Sequence, residues 1–277
     1  MTASVIALAL FAAVLHATWN AFLRSGADRL WTVTVMSLSM AAVGVPLAFV
    51  FPLPVPAAWP YLVFSSCLQV GYSVFLVSAY RHGDLGQVYP IVRGSVPLLV
   101  ALGGLAFAGD RLNPGGMVGV ALVAIGIMSL SLGRTRASTT SILFALLTGL
   151  FIASYATVDA IGVRLSGNAS SYAIWIFLIY GVLMTATYIL IRGRLSVDLR
   201  SPETWMAIGG GMVSLVAYGA VIAAFALGPA GPITALRETS VVFAVLIGRL
   251  FLGEALTFKR IAACVIVAGG AICLGIS

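Results

Sequence analysis

Ten apolar runs, each about as long as a membrane-crossing helix, follow one another through this chain with only short breaks between them. A helix needs about 20 mostly apolar residues to cross the hydrocarbon core of a bilayer. Reading from break to break places the runs at roughly 3–23, 30–51, 57–80, 86–107 and 114–132, then 140–163, 170–191, 203–226, 232–252 and 257–276. The breaks are compact: "RSGADR", "RHGD", "GDRLNP", "GRTRAS", "GPAGP". In the third run Pro60 must fall in the first helical turn, where its missing N–H costs nothing. Only 8% of the residues are charged and 61% are hydrophobic. A soluble domain carries about 25% charged residues, so too few polar groups exist here to cover a water-exposed surface. The expected class is an all-α polytopic membrane protein. The first run lacks a basic leader and holds His16, Trp19 and Asn20, so it reads as a permanent span rather than a signal peptide.

The net charge of +7 comes from residues placed mostly at the ends of the runs, where they act as topological anchors rather than as a nucleic-acid surface. Arg24, Arg29, Arg81, Arg134, Arg136, Arg192, Arg194, Arg200, Lys259 and Arg260 share one side, against Arg111 and Arg164 on the other. The positive-inside rule then predicts an external N-terminus. Cys67, Cys264 and Cys273 have no metal-type spacing and read as small packing residues, and no metal or cofactor is expected.

The two halves match. "FAGDRL" (Phe107–Leu112) parallels "FLGEAL" (Phe251–Leu256) at an offset of 144 residues, and the same offset carries Arg93 onto Arg237 and Gly126 onto Gly270. "HATWNA" (His16–Ala21) parallels "YATVDA" (Tyr155–Ala160) at 139, and Trp59 and Tyr72 parallel Trp205 and Tyr218 at 146. Two repeats result, 1–133 and 138–277, each of five spans. Five is odd, so the second repeat enters the membrane from the opposite side. That is the inverted repeat of many secondary transporters, which bind substrate near the midplane between the halves.

Ten spans, the repeat, and the turn seen as Gly109–Asp110–x–Leu112 and Gly253–Glu254–x–Leu256 resemble the drug/metabolite transporter superfamily, EamA branch, over the whole chain. The "HATWN" stretch is similar to a subset encoded beside genes for phosphonate use. The resemblance implies movement of a small metabolite without ATP, commonly export, in a cell's inner (plasma) membrane. It implies both termini in the cytoplasm, opposite to the charge rule. Small multidrug exporters of the superfamily rely on a glutamate in the first helix; the first span here holds no acid, which disfavours a cationic-drug antiporter.

An arginine keeps its proton, and near the bilayer centre it costs about 2.5–3.5 kcal/mol on insertion scales. Arg93 and Arg237 are therefore expected to line a central cavity rather than only snorkel to headgroups. Asp159 and Glu238 lie where they could neutralise Arg237, whereas Arg93 has only His16 and Asn20 nearby. This makes Arg93 the expected anchor for a substrate anion and places the two arginines at different depths. Tyr72, Tyr218, Gln69, Trp19, Asn20 and Tyr89 complete the expected pocket, on spans 1, 3 and 4 and their counterparts 6, 8 and 9. His16, Asp159 and Glu238 are the candidates for proton coupling. No paired carboxylates, HExxH or phosphate loop point to an enzyme or a nucleotide-driven pump. The expectation is a secondary transporter, a monomer in the lipid bilayer, for a small anionic or zwitterionic metabolite such as an amino acid, organic acid or phosphonate. A lipid flippase is the alternative.

Overall fold

Each apolar run becomes helix, and the polar residues of the breaks close the helix ends. The computed structural model describes all residues except 26, 27, 83, 84, 132–138, 253–256 and 277, and no side chain of 19–25, 77–82, 85–89, 141, 247, 248 or 250–252. In order come α1 (Ala3–Ser25), α2 (Arg29–Val50), α3 (Trp59–His82), α4 (Leu85–Phe107) and α5 (Pro114–Ser129). The second half holds α6 (Thr139–Leu165), α7 (Ala169–Arg192), α8 (Pro202–Leu227), α9 (Ala230–Arg237), α10 (Ser240–Leu252) and α11 (Phe258–Ile276). Asp28 accepts from the N–H groups of Leu30 and Trp31 at the start of α2. Asn113 caps α5 through Gly116 N at 2.7 Å, and Asn168 caps α7 through Ser171 N at 3.0 Å. These side chains satisfy N–H groups that a helix start leaves open. Pro60 falls in the first turn of α3, as its chemistry requires. Among the described residues, six helices are long and apolar enough to cross a membrane by themselves.

The ninth run departs from expectation. It is not one helix over 232–252 but two, with the axis interrupted at Glu238 and Thr239. There the backbone tightens to three-residue bonds: Thr239 N donates to Leu236 O at 3.1 Å, and Val242 N to Thr239 O at 2.8 Å. The Thr239 hydroxyl also donates to Leu236 O, at 2.6 Å. Ser95 makes the corresponding bond to Val92 O in α4, yet α4 runs on unbroken.

Helix packing carries the two-fold relation between the halves. α2 packs on α7, α5 on α11 and α4 on α9, each helix against its own counterpart; the α1–α8 contact has its image in α3–α6. Glycines show this at atomic scale. A methyl group added at Gly126 would lie 3.1 Å from Val267 N and 3.2 Å from Ala263 O. One added at Gly270 would lie 2.9 Å from Val123 N and 2.8 Å from Gly119 O. These are the same contacts with the halves exchanged, at the offset of 144. Gly44 against Ile174 O and Gly181 against Ser37 O repeat the pattern between α2 and α7, at an offset of 137. Self-complementary contacts of this kind require a two-fold axis. Small residues let backbones approach where lipid gives no hydrophobic drive to associate.

Outward-facing positions are apolar, as lipid demands: Phe49, Phe107, Leu190 and Phe258 are all exposed. Cys67 belongs to this surface and not to the core, while Cys264 and Cys273 are partly exposed. In a bilayer a small apolar thiol need not be buried in protein.

Candidate functional site

Between the halves lies a cavity that offers about 110 Å³ to the centres of water molecules. That is well above the roughly 10–15 Å³ that a cavity needs to hold a single water. His16 (α1), Gln69 and Tyr72 (α3), Arg93 (α4), Tyr218 (α8) and Arg237 (α9) all line it. The side chains of Trp19, Asn20 and Tyr89 lie outside the described residues.

The arginines do not sit apart. Arg93 Nη1 donates to Glu238 Oε1 at 3.2 Å and to Oε2 at 3.4 Å, and Arg237 Nη2 donates to Oε1 at 3.0 Å. All three residues are buried, at 5%, 4% and 0% exposure. Two expectations are corrected here. Arg93 has a carboxylate, supplied by the opposite repeat, and both guanidiniums converge on one acid instead of lying at separate depths. The reason is local: the ninth span breaks next to Arg237, and the carboxylate at that break reaches α4 as well as its neighbour. Under the repeat Glu238 corresponds to Gly94. A methyl group on Gly94 would lie 2.4 Å from Met128 Cγ and 3.0 Å from Ala124 O, because α5 presses there. One half thus uses this position for packing and the other for charge.

Asp159 does not serve Arg237. It is fully buried on α6 and accepts hydrogen bonds from the Tyr172 hydroxyl, at 3.0 Å, and from the Tyr218 hydroxyl. Tyr218 is shared: its ring lines the cavity while its hydroxyl reaches the acid behind the wall. The rings of Tyr72, Tyr155 and Tyr218 follow one another at centroid separations of 6.0 and 6.2 Å.

Tyr155 was absent from the expected pocket although the repeat points to it, since it is the counterpart of His16. Helices α2 and α7 also contribute to the wall, through Met36, Ser37 and Met40, and through Tyr180, which bonds Ser73 at 3.0 Å. Nothing in their sequence separates these residues from ordinary packing positions.

A second arginine centre closes the face at which α1 begins. Arg164, expected in a loop, turns inward from the end of α6 and meets Asp110 Oδ1 at 2.8 Å. It also donates to Ala108 O at 3.1 Å, Phe225 O at 3.0 Å and Gly228 O at 2.7 Å. The other oxygen of Asp110 accepts from Ala230 N at 2.7 Å, capping α9. An acid at a helix start satisfies an open N–H and the helix dipole together. Below this centre Val5, Ala9, Val100, Ile222, Phe225 and Ile233 form a buried apolar plug. The cavity residues instead run from mid-span toward the face that carries most of the basic loops.

The family model described as "EamA-like transporter family" matches the chain twice, over residues 3–132 and 139–276. This chain belongs to the EamA-like transporter family. This EamA-like chain is thus a multi-pass membrane protein of the drug/metabolite transporter superfamily, with the two-repeat architecture. A solved structure titled "Crystal structure of protein" aligns with 100% of this chain and 98% of its own, at 20% identity and a TM-score of 0.80. That likeness concerns the fold alone. No curated protein compared with the chain matches it.

Proposed function

We propose that this EamA-like transporter moves a small anionic or zwitterionic metabolite, such as an amino acid, organic acid or phosphonate, by alternating access across the plasma membrane. The observation that carries this reading is the pair Arg93 and Arg237, buried, facing one cavity, and sharing a single carboxylate. A guanidinium grips a carboxylate or phosphonate through two parallel hydrogen bonds, a geometry an ammonium cannot offer. Tyrosines and Gln69 supply the apolar walls and hydrogen-bonding tips that suit a small organic solute.

Alternating access follows from the symmetry. The plug and the Arg164 centre close one face, and rocking one repeat against the other about the two-fold axis exchanges the closed face for its counterpart. With the basic loops in the cytoplasm, the site loads from inside, which favours export. His16 and the Asp159–Tyr218 pair are the groups available to carry a proton in exchange.

The test is solute movement in proteoliposomes against a panel of amino acids, organic acids and phosphonates. Arg93→Ala leaves Glu238 paired with Arg237, so the variant is expected to stay folded and monodisperse. Its affinity for the transported solute should fall by about 3 kcal/mol, roughly a hundredfold, since charged hydrogen bonds are lost. Arg93→Lys should recover only part of this. Normal transport by Arg93→Ala would sink the reading, and lipid scrambling without saturable solute movement would support a flippase.

A further inference from the structure

Asp159 is a fully buried carboxylate whose partners are all neutral. It accepts hydrogen bonds from the hydroxyls of Tyr172, Tyr218 and Ser65, and among the described residues no cation pairs with it. A buried charge is ordinarily matched by an opposite one. Two of its partners lead to the cavity. Tyr218 lines it directly. Ser65 lies one turn before Gln69 on α3 and accepts from Gln69 Nε2 at 3.3 Å, and Gln69 lines the cavity as well.

The direction of these bonds fixes what the wall offers. An ionised carboxylate only accepts, so Ser65 gives its single proton to Asp159. The Ser65 oxygen is left to accept, and only the NH₂ end of the Gln69 amide can donate to it. The other end, Oε1, is left over, and no described residue donates to it. Tyr218 also spends its proton on Asp159, which enriches its ring in electrons, and an aromatic face attracts a cation. This wall therefore presents an amide oxygen and an electron-rich ring, with a negative charge behind them. Arg93 and Arg237, in the same cavity, present donors only.

We propose that the transported solute is a zwitterion, whose ammonium lies against Gln69 and Tyr218 while its acidic group takes the arginines. This rests on the reading of Arg93 and Arg237 as the substrate anchor, and it narrows that reading. An amino acid or an amine-bearing phosphonate satisfies both walls, whereas a plain organic acid satisfies one. An ammonium has three donors and no acceptor, the complement of Gln69 Oε1. Asp159 touches no solute by this account. It is a positioning residue, turning the Gln69 amide through Ser65 so that its oxygen is the end on offer.

The experiment measures the Kd of the solubilised full-length protein for glycine and acetate, β-alanine and propionate, and 4-aminobutyrate and butyrate. Each pair differs by one ammonium, placed one, two or three carbons from the carboxylate. At the spacing that spans the cavity, the amino acid should bind about tenfold more tightly than its partner, the effect of one charged hydrogen bond. Gln69→Met keeps the side-chain length and removes the oxygen. It should abolish most of that advantage and leave the affinity for the plain acid nearly unchanged. Asp159→Asn, with Gln69 and Ser65 intact, should lower the ratio in the same way. Should that variant fail to fold, Ser65→Ala cuts the link between Asp159 and Gln69 and carries the same expectation. Equal affinities within all three pairs, or an advantage that persists in Gln69→Met, overturn the proposal and leave the anchor reading standing. If Arg93→Ala and Arg237→Gln bind the plain acids as the wild type does, the anchor reading fails and takes this one with it.

Discussion

Two arginine centres cross between the repeats, and they differ in how fully they are satisfied. Arg164 spends its donors on one carboxylate and three backbone carbonyls, and its carboxylate in turn caps α9. Arg93 and Arg237 share one acid, and a donor atom of Arg237 stays unmatched beside a cavity. Residue type and burial do not separate these cases; the inventory of acceptors does. A guanidinium whose three nitrogens are each bonded to the protein holds the fold. Arg237, with its Nε unmatched among the described residues, is poised to take a ligand's oxygen atom. The comparison predicts opposite phenotypes for the two centres.

The largest effect on stability is expected at the saturated centre. Arg164→Ala strands the Asp110 carboxylate and leaves three helix-end carbonyls without their donor. Breaking a buried pair costs roughly 3–5 kcal/mol. Arg164 is about a quarter exposed, so solvent screening reduces this to about 2–3 kcal/mol. The detergent-solubilised variant should melt several degrees lower, with solute affinity unchanged once it is folded. A variant that melts normally but no longer binds would reverse the roles assigned to the two centres.

A smaller effect is expected at Gly94, where the halves diverge. Gly94→Ala inserts a methyl group into the α4–α5 contact, against Met128 and the Ala124 carbonyl. Overpacking typically costs about 1–3 kcal/mol. Since α4 carries Arg93 one residue earlier, the shift also displaces the guanidinium, and the apparent KM should rise several-fold with turnover affected less. An unaltered KM would show that α4 can yield without moving its arginine.

Much of this architecture was legible before any coordinates. A charge-poor chain must place its helices in lipid, and the offset that relates Gly126 to Gly270 reappears as reciprocal backbone contacts between α5 and α11. The offset even pointed to Tyr155 through His16. The pairing of Arg93 was not legible, because its partner lies 145 residues away in the chain. Sequence proximity favoured His16 and Asn20, which share its half. The break at Glu238 was equally hidden, since "RETSVV" contains neither proline nor glycine to announce it. Asp159 was misassigned for a related reason. A buried acid suggests a cation, whereas two tyrosine hydroxyls from α7 and α8 serve it instead.

The smallest stability effect is expected at Tyr218, which stands between the two kinds of centre. Its hydroxyl is committed to Asp159, yet its ring faces the cavity. Tyr218→Phe keeps the ring and removes one of the hydroxyls that Asp159 accepts from, leaving those of Tyr172 and Ser65. The expected loss is about 1–2 kcal/mol, within the range for a hydrogen bond to an ionisable group. Function separates two roles for this bond. If it belongs to a saturated structural centre, Tyr218→Phe melts slightly lower and transports normally under every gradient. If Asp159 exchanges a proton with the cavity through Tyr218, solute accumulation driven by an imposed proton gradient falls, while solute-for-solute exchange at equal pH persists. The second outcome is expected, because the Tyr218 hydroxyl bonds the buried acid directly while the residue itself lines the cavity. Equal accumulation by variant and wild type would place Asp159 with Arg164 among the residues that hold the fold.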